Sequence, residues 1–206
     1  MKIITCLGDS ITDCEHCFCP DSMGNGYVKL LSERLFNEGF DCQVRNHGTD
    51  GFTIQRLLQR VCASDDFHNN IITILIGIND VSIIADTNRS VQQQELLFKR
   101  FSKHYFDIIT ILLNQTSSIL LLEPFIFPWP AVYKAWLPYV ERMSKQIKNL
   151  AFQFDLPFLP LHKELNQMAQ RYGFSTITTD GIHLTLQGQK FITDKLYSCI
   201  LDHNYV

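Results

Sequence analysis

The sequence predicts an α/β fold in which a five-stranded parallel sheet lies between two layers of helices. Short apolar runs alternate five times with segments whose apolar residues recur at every third or fourth position. Several of the runs are apolar throughout, as expected of parallel strands that are covered on both faces. Because crossovers between parallel strands are right-handed, this alternation predicts a three-layer α/β/α sandwich.

The predicted strands are short. They cover residues 3–7, 42–45, 71–76, Ser118–Leu122 and 157–160. The third reads Ile-Ile-Thr-Ile-Leu-Ile, which is apolar throughout and is therefore predicted to be buried on both faces. The second is the weakest of the five and is expected nearer an edge of the sheet.

The predicted helices lie between and after the strands, and each has one apolar face. Gly39 is predicted to close the first helix, because glycine is favoured just beyond a helix end. Ser90 and Gln93 are predicted to form a capping box at the start of the longest helix. The apolar stripes are Tyr27, Leu31 and Leu35; Ile54, Leu57 and Val61; Leu97, Phe101, Tyr105, Ile108 and Leu112; Val140, Met143, Ile147, Leu150 and Phe154; and Ile192, Leu196 and Ile200.

Composition bounds the class of protein. A chain of 206 residues with 46% hydrophobic and 19% charged residues is ordinary for one soluble globular domain, here residues 1–206. The net charge of −3 and the pI near 6.1 argue against nucleic acid or an anionic membrane as the main partner. No apolar run approaches the roughly 20 residues of a membrane span. The first strand begins too early to leave room for a signal peptide, so we expect a cytoplasmic protein.

The seven cysteines suit that compartment if they are reduced thiols. One cluster, formed by Cys14, His16, Cys17 and Cys19, contains ligand types that zinc prefers. Its spacing matches no common structural zinc pattern. A loop of ordinary thiols is therefore the favoured interpretation, and a metal site is the alternative.

Residues that could take part in catalysis or binding lie just after the predicted strands. Ser10, Gly51, Asn79 and residues 123–125 lie at strand ends or in strand-to-helix loops. The carboxyl ends of parallel strands meet at one rim of the sheet, where ligands bind in such folds. We therefore expect these residues to share one site. No glycine-rich nucleotide fingerprint follows the first strand, which argues against a dinucleotide-binding domain.

Ser10 is the candidate nucleophile. A serine hydroxyl is a weak nucleophile until a base takes its proton, and that base needs a third group to orient it. His183 is the candidate base, and Asp180, three residues earlier, can reach its other ring nitrogen across a tight turn. Asp9 and Asp13 are expected to hold the nucleophile turn by accepting backbone N–H bonds.

The candidate oxyanion donors are the backbone N–H groups of Ser10 and Gly51 and the side-chain amide of Asn79. Each candidate residue also has an ordinary structural explanation: a Gly-Asp-Ser turn can be a helix cap, and Asn79 with Asp80 can form an Asx turn. Taken together, such explanations require four independent coincidences in the right order. Catalysis is therefore the stronger hypothesis.

Four segments together resemble the sequence blocks of SGNH (GDSL-type) hydrolases, over essentially the full length of the chain. They are residues 8–13 (GDSITD), 46–51 (NHGTDG), 77–80 (GIND) and 180–183 (DGIH). The resemblance implies a flavodoxin-like sandwich, a nucleophile and a base–acid pair in the first and last blocks, and oxyanion donors in the second and third. Residues 76–81 and 123–125 resemble small carbohydrate esterases, including acetylxylan esterase-like members, which implies removal of short acyl groups from sugars.

Two positions depart from the family pattern. Asp50 stands where a small residue often precedes the second-block glycine. An inward-facing carboxylate would be unfavourable beside an oxyanion, so we expect the side chain of Asp50 to face away. Leu184 replaces a proline that commonly follows the histidine, which leaves the rigidity of that loop open.

Aromatic residues cluster after the fourth strand. Phe125, Trp129 and Trp136, with Phe127 and Tyr133, are expected on the rim that carries the nucleophile, where they could wall a substrate site. An equally favoured alternative is that they cover the end of the core or a subunit interface.

The sequence therefore predicts a serine esterase that cleaves short-chain esters through a Ser10 acyl-enzyme and needs no cofactor. The leading substrate is an acetyl ester of a carbohydrate. The predicted partner is thus a small acylated molecule, with no nucleic acid and no membrane, and homo-oligomerisation is left open. The first alternative is a lysophospholipase or acyl-thioesterase with the same site, and the second is a sugar-binding protein without turnover.

Overall fold

The computed structural model describes residues 1–64, 66–85 and 88–206. Its sheet has five strands, all parallel, and the predicted α/β fold class is confirmed. The strands are β1 (Lys2–Gly8), β2 (Cys42–Gly48), β3 (Ile71–Leu75), β4 (Ser118–Leu122) and β5 (Phe158–Leu159). Their order in the sheet is β2-β1-β3-β4-β5, so β2 lies at an edge as predicted.

The helices connect these strands. They are α1 (Ser10–Asp13), α2 (Tyr27–Asn37), α3 (Ile54–Cys62), α4 (Ile78–Ala85), α5 (Val91–Leu113), α6 (Leu137–Gln153), α7 (His162–Tyr172), α8 (Phe174–Ile177) and α9 (Leu186–Asp202). Short 3₁₀ turns cover His16–Phe18 and Ala131–Trp136. All five predicted helices are present, as α2, α3, α5, α6 and α9.

Local sequence explains several element ends. Ser90 and Gln93 form the predicted capping box at the start of α5. Gly39 follows α2 with a φ of +84°, a conformation that glycine adopts without steric cost. The strand β5 has only two residues because Pro157 and Pro160, which flank it, have no N–H to donate to a neighbouring strand.

The helices lie in two layers. The connection from β1 to β2 and the connection from β2 to β3 cross the sheet in opposite directions, so right-handed crossovers place α2 and α3 on opposite faces. The helix α9 packs against α2, while α5 packs against α3 and α6. The three-layer sandwich follows from these contacts.

The core lies between these layers. All five residues of β3 are buried, as expected for a central strand covered on both faces. Buried apolar side chains from β1, β3, β4 and the flanking helices form one cluster. None of the helices among the described residues is both long enough and apolar enough to span a membrane.

Strand register fixes the position of the site. Gly8 at the end of β1 pairs with Gly48 of β2 and with Leu75 of β3. The carboxyl ends of these three adjacent strands are therefore level with one another. The loops that follow these strands carry Ser10, Gly51 and Asn79, and they lie together at the carboxyl ends of the strands.

Candidate active site

The turn that presents Ser10 begins where β1 ends. Asp9 is the N-cap of α1, and its carboxylate Oδ1 accepts the Ile11 N–H at 3.1 Å. Two glycines let this turn pack against the neighbouring strands. A Cβ at Gly8 would lie 2.1 Å from the Thr12 hydroxyl, and one at Gly48 would lie 2.1 Å from the Asp13 backbone nitrogen.

The side chains of Asn46 and Asp13 hold the turn in place through hydrogen bonds to backbone groups. The buried Asn46 amide donates to the carbonyls of Thr12 at 2.8 Å, Asp13 at 3.1 Å and Met23 at 2.8 Å. The Asp13 carboxylate accepts the N–H of His16 at 3.0 Å and that of Asp50 at 2.8 Å. The expectation that Asp9 and Asp13 accept backbone N–H bonds is therefore confirmed.

Ser10, His183 and Asp180 form a hydrogen-bonded line. The Ser10 Oγ lies 2.9 Å from His183 Nε2, and His183 Nδ1 lies 2.6 Å from Asp180 Oδ2. An aspartate at Nδ1 favours the tautomer in which that nitrogen carries the proton, so Nε2 is left to accept the serine proton. The structure therefore brings Ser10 together with the pair Asp180 and His183, although His183 lies 173 positions later in the chain.

Asp180 is itself fixed by the backbone. Its Oδ1 accepts the N–H groups of Ile182 at 2.8 Å and His183 at 2.7 Å. Partial burial raises the pKa of Asp180, but these bonds and the His183 side chain outweigh it and hold the pKa below its usual value. The carboxylate is therefore ionised when it faces the imidazole.

The loop that carries His183 is closely supported. Gly181 has a φ of +98°, and a Cβ there would lie 2.1 Å from the Trp129 carbonyl oxygen. The Phe127 N–H donates to the Gly181 carbonyl at 3.0 Å. Leu184 replaces the proline of the family pattern, and it pairs with Thr178 in an isolated antiparallel bridge. Backbone hydrogen bonds therefore hold this loop without a proline.

The candidate oxyanion donors follow β2 and β3. Gly51 is exposed, has a φ of +69° and would have open space around a Cβ. Asn79 is the second residue of α4, and its amide donates to the Phe52 carbonyl at 2.9 Å. This bond links the segment after Gly51 to the start of α4. Among the hydrogen bonds of the described residues, the second amide hydrogen of Asn79 has no acceptor.

A cavity of about 450 Å³ opens beside Ser10 and His183. This volume is in the usual range for small-molecule sites. The residues that line it are Ser10, Ile11, Asp13, Cys14, Glu15, Phe18, Asp50, His183, Leu184 and Gln189. The sequence analysis did not assign Glu15 or Phe18 to the site. Asp50 is exposed and lies on the cavity wall. That its carboxylate faces away from the oxyanion stays a prediction.

The aromatic residues after β4 do not line this cavity. Phe125 has no exposed surface and Trp136 is only 6% exposed, so neither can contact a ligand in this conformation. Their burial favours the alternative interpretation, in which they cover the end of the core. Trp129 is 39% exposed and stacks on Phe174, with ring centroids 6.3 Å apart. The backbone of this segment supports the Asp180–His183 loop, which is a role that the sequence did not reveal.

Two carboxyl groups behind the site are poorly solvated. Burial raises the pKa of Asp9 to about 7, although the Ile11 hydrogen bond and the nearby His183 partly offset this effect. Burial likewise raises the pKa of Asp80 to about 7, and the charge of Asp9 adds to the rise. Asp80 Oδ2 accepts the Ile54 N–H at 2.9 Å and thereby joins α4 to the start of α3.

The cysteine and histidine cluster near α1 is engaged in other contacts. His16 Nδ1 lies 2.8 Å from Asp13 Oδ1, and His16 Nε2 lies 3.4 Å from the Cys17 sulfur. Within residues 1–64, 66–85 and 88–206, no three His, Cys, Asp or Glu side chains are grouped to hold a metal ion. All seven cysteines are free thiols.

The fold and the line of Ser10, His183 and Asp180 are typical of serine hydrolases. The family model of the GDSL-like lipase/acylhydrolase family matches residues 6–191, and the chain belongs to this family. This membership confirms the resemblance to SGNH hydrolases and the predicted enzyme class, a carboxylic ester hydrolase. A comparison with curated proteins finds no significant match.

Solved structures with the same fold include two enzymes of low sequence identity. An alpha/beta hydrolase enzyme from the metagenome of Lake Arreo, Spain, is 22% identical with a TM-score of 0.82, covering 96% of this chain and 94% of its own. An acetylxylan esterase from Geobacillus stearothermophilus is 18% identical with a TM-score of 0.78, covering 95% and 92%. At these identities the likeness concerns the fold.

Proposed function

We propose that the protein is a serine esterase that removes short acyl groups, acetyl first among them, from a carbohydrate. The observation that carries this proposal is the line from Ser10 Oγ through the His183 ring to Asp180, with distances of 2.9 and 2.6 Å, at the mouth of a cavity of about 450 Å³.

The proposed reaction has two stages. His183 Nε2 takes the Ser10 proton as the hydroxyl oxygen attacks the ester carbonyl, and it then gives that proton to the departing alcohol. Asp180 stabilises the imidazolium that forms in between. Water then attacks the acyl-enzyme by the same route and releases the carboxylic acid, which restores Ser10.

The oxyanion is the second requirement of this chemistry. The Ser10 and Gly51 N–H groups and the Asn79 amide follow three adjacent strands whose ends are level, which favours their convergence on one oxygen. Losing one such donor typically costs about 2.7–4 kcal/mol of transition-state stabilisation.

Relatives with the same fold support the choice of residues and substrate. Three solved variants of the Geobacillus esterase are described as catalytic mutants, and they replace a serine, an aspartate and a histidine by alanine. That esterase acts on acetylxylan by name. In this chain, three carboxylates line the cavity beside Ser10, which suits a polar alcohol better than a long apolar acyl chain.

The test is hydrolysis of p-nitrophenyl esters from acetyl to decanoyl by the parent protein, by Ser10→Ala and by Ser198→Ala. Ser198 is an exposed serine of α9 and serves as the matched control. We expect the rate to peak at acetyl, to be unchanged in Ser198→Ala and to collapse in Ser10→Ala. A peak at eight or more carbons would move the assignment to lipid or thioester substrates. Activity that survives in Ser10→Ala would refute the mechanism.

A further inference from the structure

The cavity beside Ser10 has an unbalanced charge. Three of its lining residues are carboxylates, Asp13, Glu15 and Asp50. Among the residues that the structure describes, no lysine or arginine lines it. Glu15, Phe18 and Asp50 line the cavity and are exposed. We refer to these three residues together as the acidic wall.

The charges of the acidic wall are not neutralised by neighbours. The Asp13 carboxylate is engaged by His16 and by the Asp50 N–H, whereas no described ion pair involves Glu15 or Asp50. Glu15 has only a long contact of 3.5 Å from the Asn25 amide. These two carboxylates are therefore available to a ligand.

One guanidinium lies near enough to interact with Asp13, but it is committed elsewhere. Arg60 donates to the His47 carbonyl and to the Thr49 hydroxyl, each at 2.7 Å, and it stacks over the Phe52 ring. It does not line the cavity. An anionic ligand would therefore meet no free cation on this wall.

The cavity lies on the side of the site where the alcohol departs. Its lining includes His183, which must protonate the leaving oxygen, and Ser10, but neither Gly51 nor Asn79, the two candidate oxyanion donors outside the nucleophile turn. The alcohol portion of an ester would thus extend along the acidic wall. Carboxylates accept hydrogen bonds from hydroxyl groups, and the 89% exposed ring of Phe18 offers an apolar face to C–H surfaces or to a cation.

We propose that the acidic wall is the alcohol subsite and that it selects an uncharged or cationic, hydroxyl-rich alcohol over one that carries phosphate, sulfate or carboxylate. This inference rests on the proposed esterase function and specifies its substrate class. It disfavours lysophospholipids and acyl-coenzyme A thioesters, which present phosphates to the same wall. Like charges at close range in a cleft lower both the affinity and the rate of encounter.

The test compares three acetate esters of similar size that differ in charge: 3-(trimethylammoniomethyl)phenyl, 3-(hydroxymethyl)phenyl and 3-(sulfonatomethyl)phenyl acetate, with each enzymatic rate divided by the uncatalysed hydrolysis rate of the same ester. The readout is kcat/KM at low ionic strength for the parent, Glu15→Gln, Asp50→Asn and Asp202→Asn. Asp202 is an exposed residue at the end of α9, and the nearby Tyr205 carbonyl is bonded by Lys2 at the start of β1, so Asp202→Asn makes the same charge change away from the cavity.

We expect the parent to prefer the cationic over the anionic ester by about tenfold or more. Glu15→Gln and Asp50→Asn should each reduce this preference by roughly threefold, and Asp202→Asn should leave it unchanged. Because exposed charges are screened, 0.5 M NaCl should reduce the preference in the parent as well.

Ser10-dependent hydrolysis with no charge preference would overturn the inference and leave the esterase function standing. The same holds for a preference that both cavity variants retain. If the parent hydrolyses none of the three esters, or if Ser10→Ala hydrolyses them equally well, the proposed function fails and the inference fails with it.

Discussion

At the scale of single residues, the reactive side chains are held by backbone groups that their own segments supply. Asp180 accepts two N–H bonds from its own turn, and Asp9 accepts one from the first turn of α1. Such local bonds explain why a short sequence block can carry a functional geometry. They fix the orientation of each carboxylate through groups of its own segment.

Asp180→Asn should separate orientation from charge. The amide oxygen can keep the bonds from the Ile182 and His183 N–H groups, but its NH2 group would face His183 Nδ1 and favour the wrong tautomer. We expect kcat for acetyl esters to fall by roughly 10³–10⁴-fold with a small change in KM. Steady-state kinetics with a thermal-unfolding control measure this. A loss below tenfold with an intact fold would contradict the role of Asp180.

At this scale, a contact between residues that are close in the sequence could be predicted, whereas a contact that depends on the tertiary path of the chain could not. The Asp-x-x-His spacing implies that Asp180 can reach His183, and the two residues are in contact. Glu15 and Phe18 line the cavity because Asn46 bonds the carbonyls on both sides of their loop, at Asp13 and Met23. No local pattern in the sequence reveals such a tertiary bond.

At the scale of elements, the loop after α8 depends on the segment after β4. The Trp129 carbonyl occupies the space that a side chain at position 181 would need, and the Phe127 N–H binds the Gly181 carbonyl. The sequence left two interpretations of this segment equally favoured: a wall of the substrate site, or a cover for the end of the core or a subunit interface. The burial of Phe125 and Trp136 favours the second, and it depends on side-chain direction, which the sequence does not give.

Gly181→Ala, compared with Gly39→Ala, tests this support. Both glycines have positive φ, +98° and +84°, but only Gly181 faces a backbone atom at its Cβ position, whereas Gly39 has open space. Left-handed strain alone costs about 1–2 kcal/mol and should appear in both variants. We expect Gly181→Ala to lose more stability and most of its kcat, and Gly39→Ala to keep its kcat. Equal activity in the two variants would contradict the proposed support.

Two longer helices, α4 and α7, were not predicted from the sequence. One buries few apolar residues, and the other begins within a sequence motif. The helix α7 buries only Leu165 and Ala169, so its apolar stripe is too thin for a periodicity argument. The helix α4 begins at Ile78, with only two residues between it and the end of β3, where the pattern of the strand and the third sequence block obscure the helical period. The five helices that were predicted, α2, α3, α5, α6 and α9, each bury a continuous apolar stripe.

At the scale of the whole molecule, the carboxyl group of Asp80 couples stability to pH. Its pKa is raised from 3.8 to about 7 in the folded chain because burial disfavours its charge. Between these values the folded state keeps a proton that the unfolded chain has lost. The contribution of Asp80 is therefore fully present below about pH 4 and is lost as the pH rises through 7.

Asp80→Asn should remove this dependence. The amide oxygen can still accept the Ile54 N–H, and the variant has no proton to lose. We expect the stability of the parent relative to the variant to decrease from pH 5 to pH 8, measured by urea unfolding at each pH. Asp9 titrates in the same direction and its charge raises the pKa of Asp80, so the difference reports Asp80 together with its coupling to Asp9. A difference that stays constant or grows with pH would show that Asp80 is ionised in the folded state.

The most direct test of Ser10 as the nucleophile is covalent labelling with a fluorophosphonate, followed by peptide mass spectrometry. We predict one adduct per chain, located on the peptide that contains Ser10, with esterase activity lost in proportion to labelling and no adduct in Ser10→Ala. An adduct on another residue that accompanies the loss of activity, or full activity after complete labelling of Ser10, would contradict the acyl-enzyme mechanism.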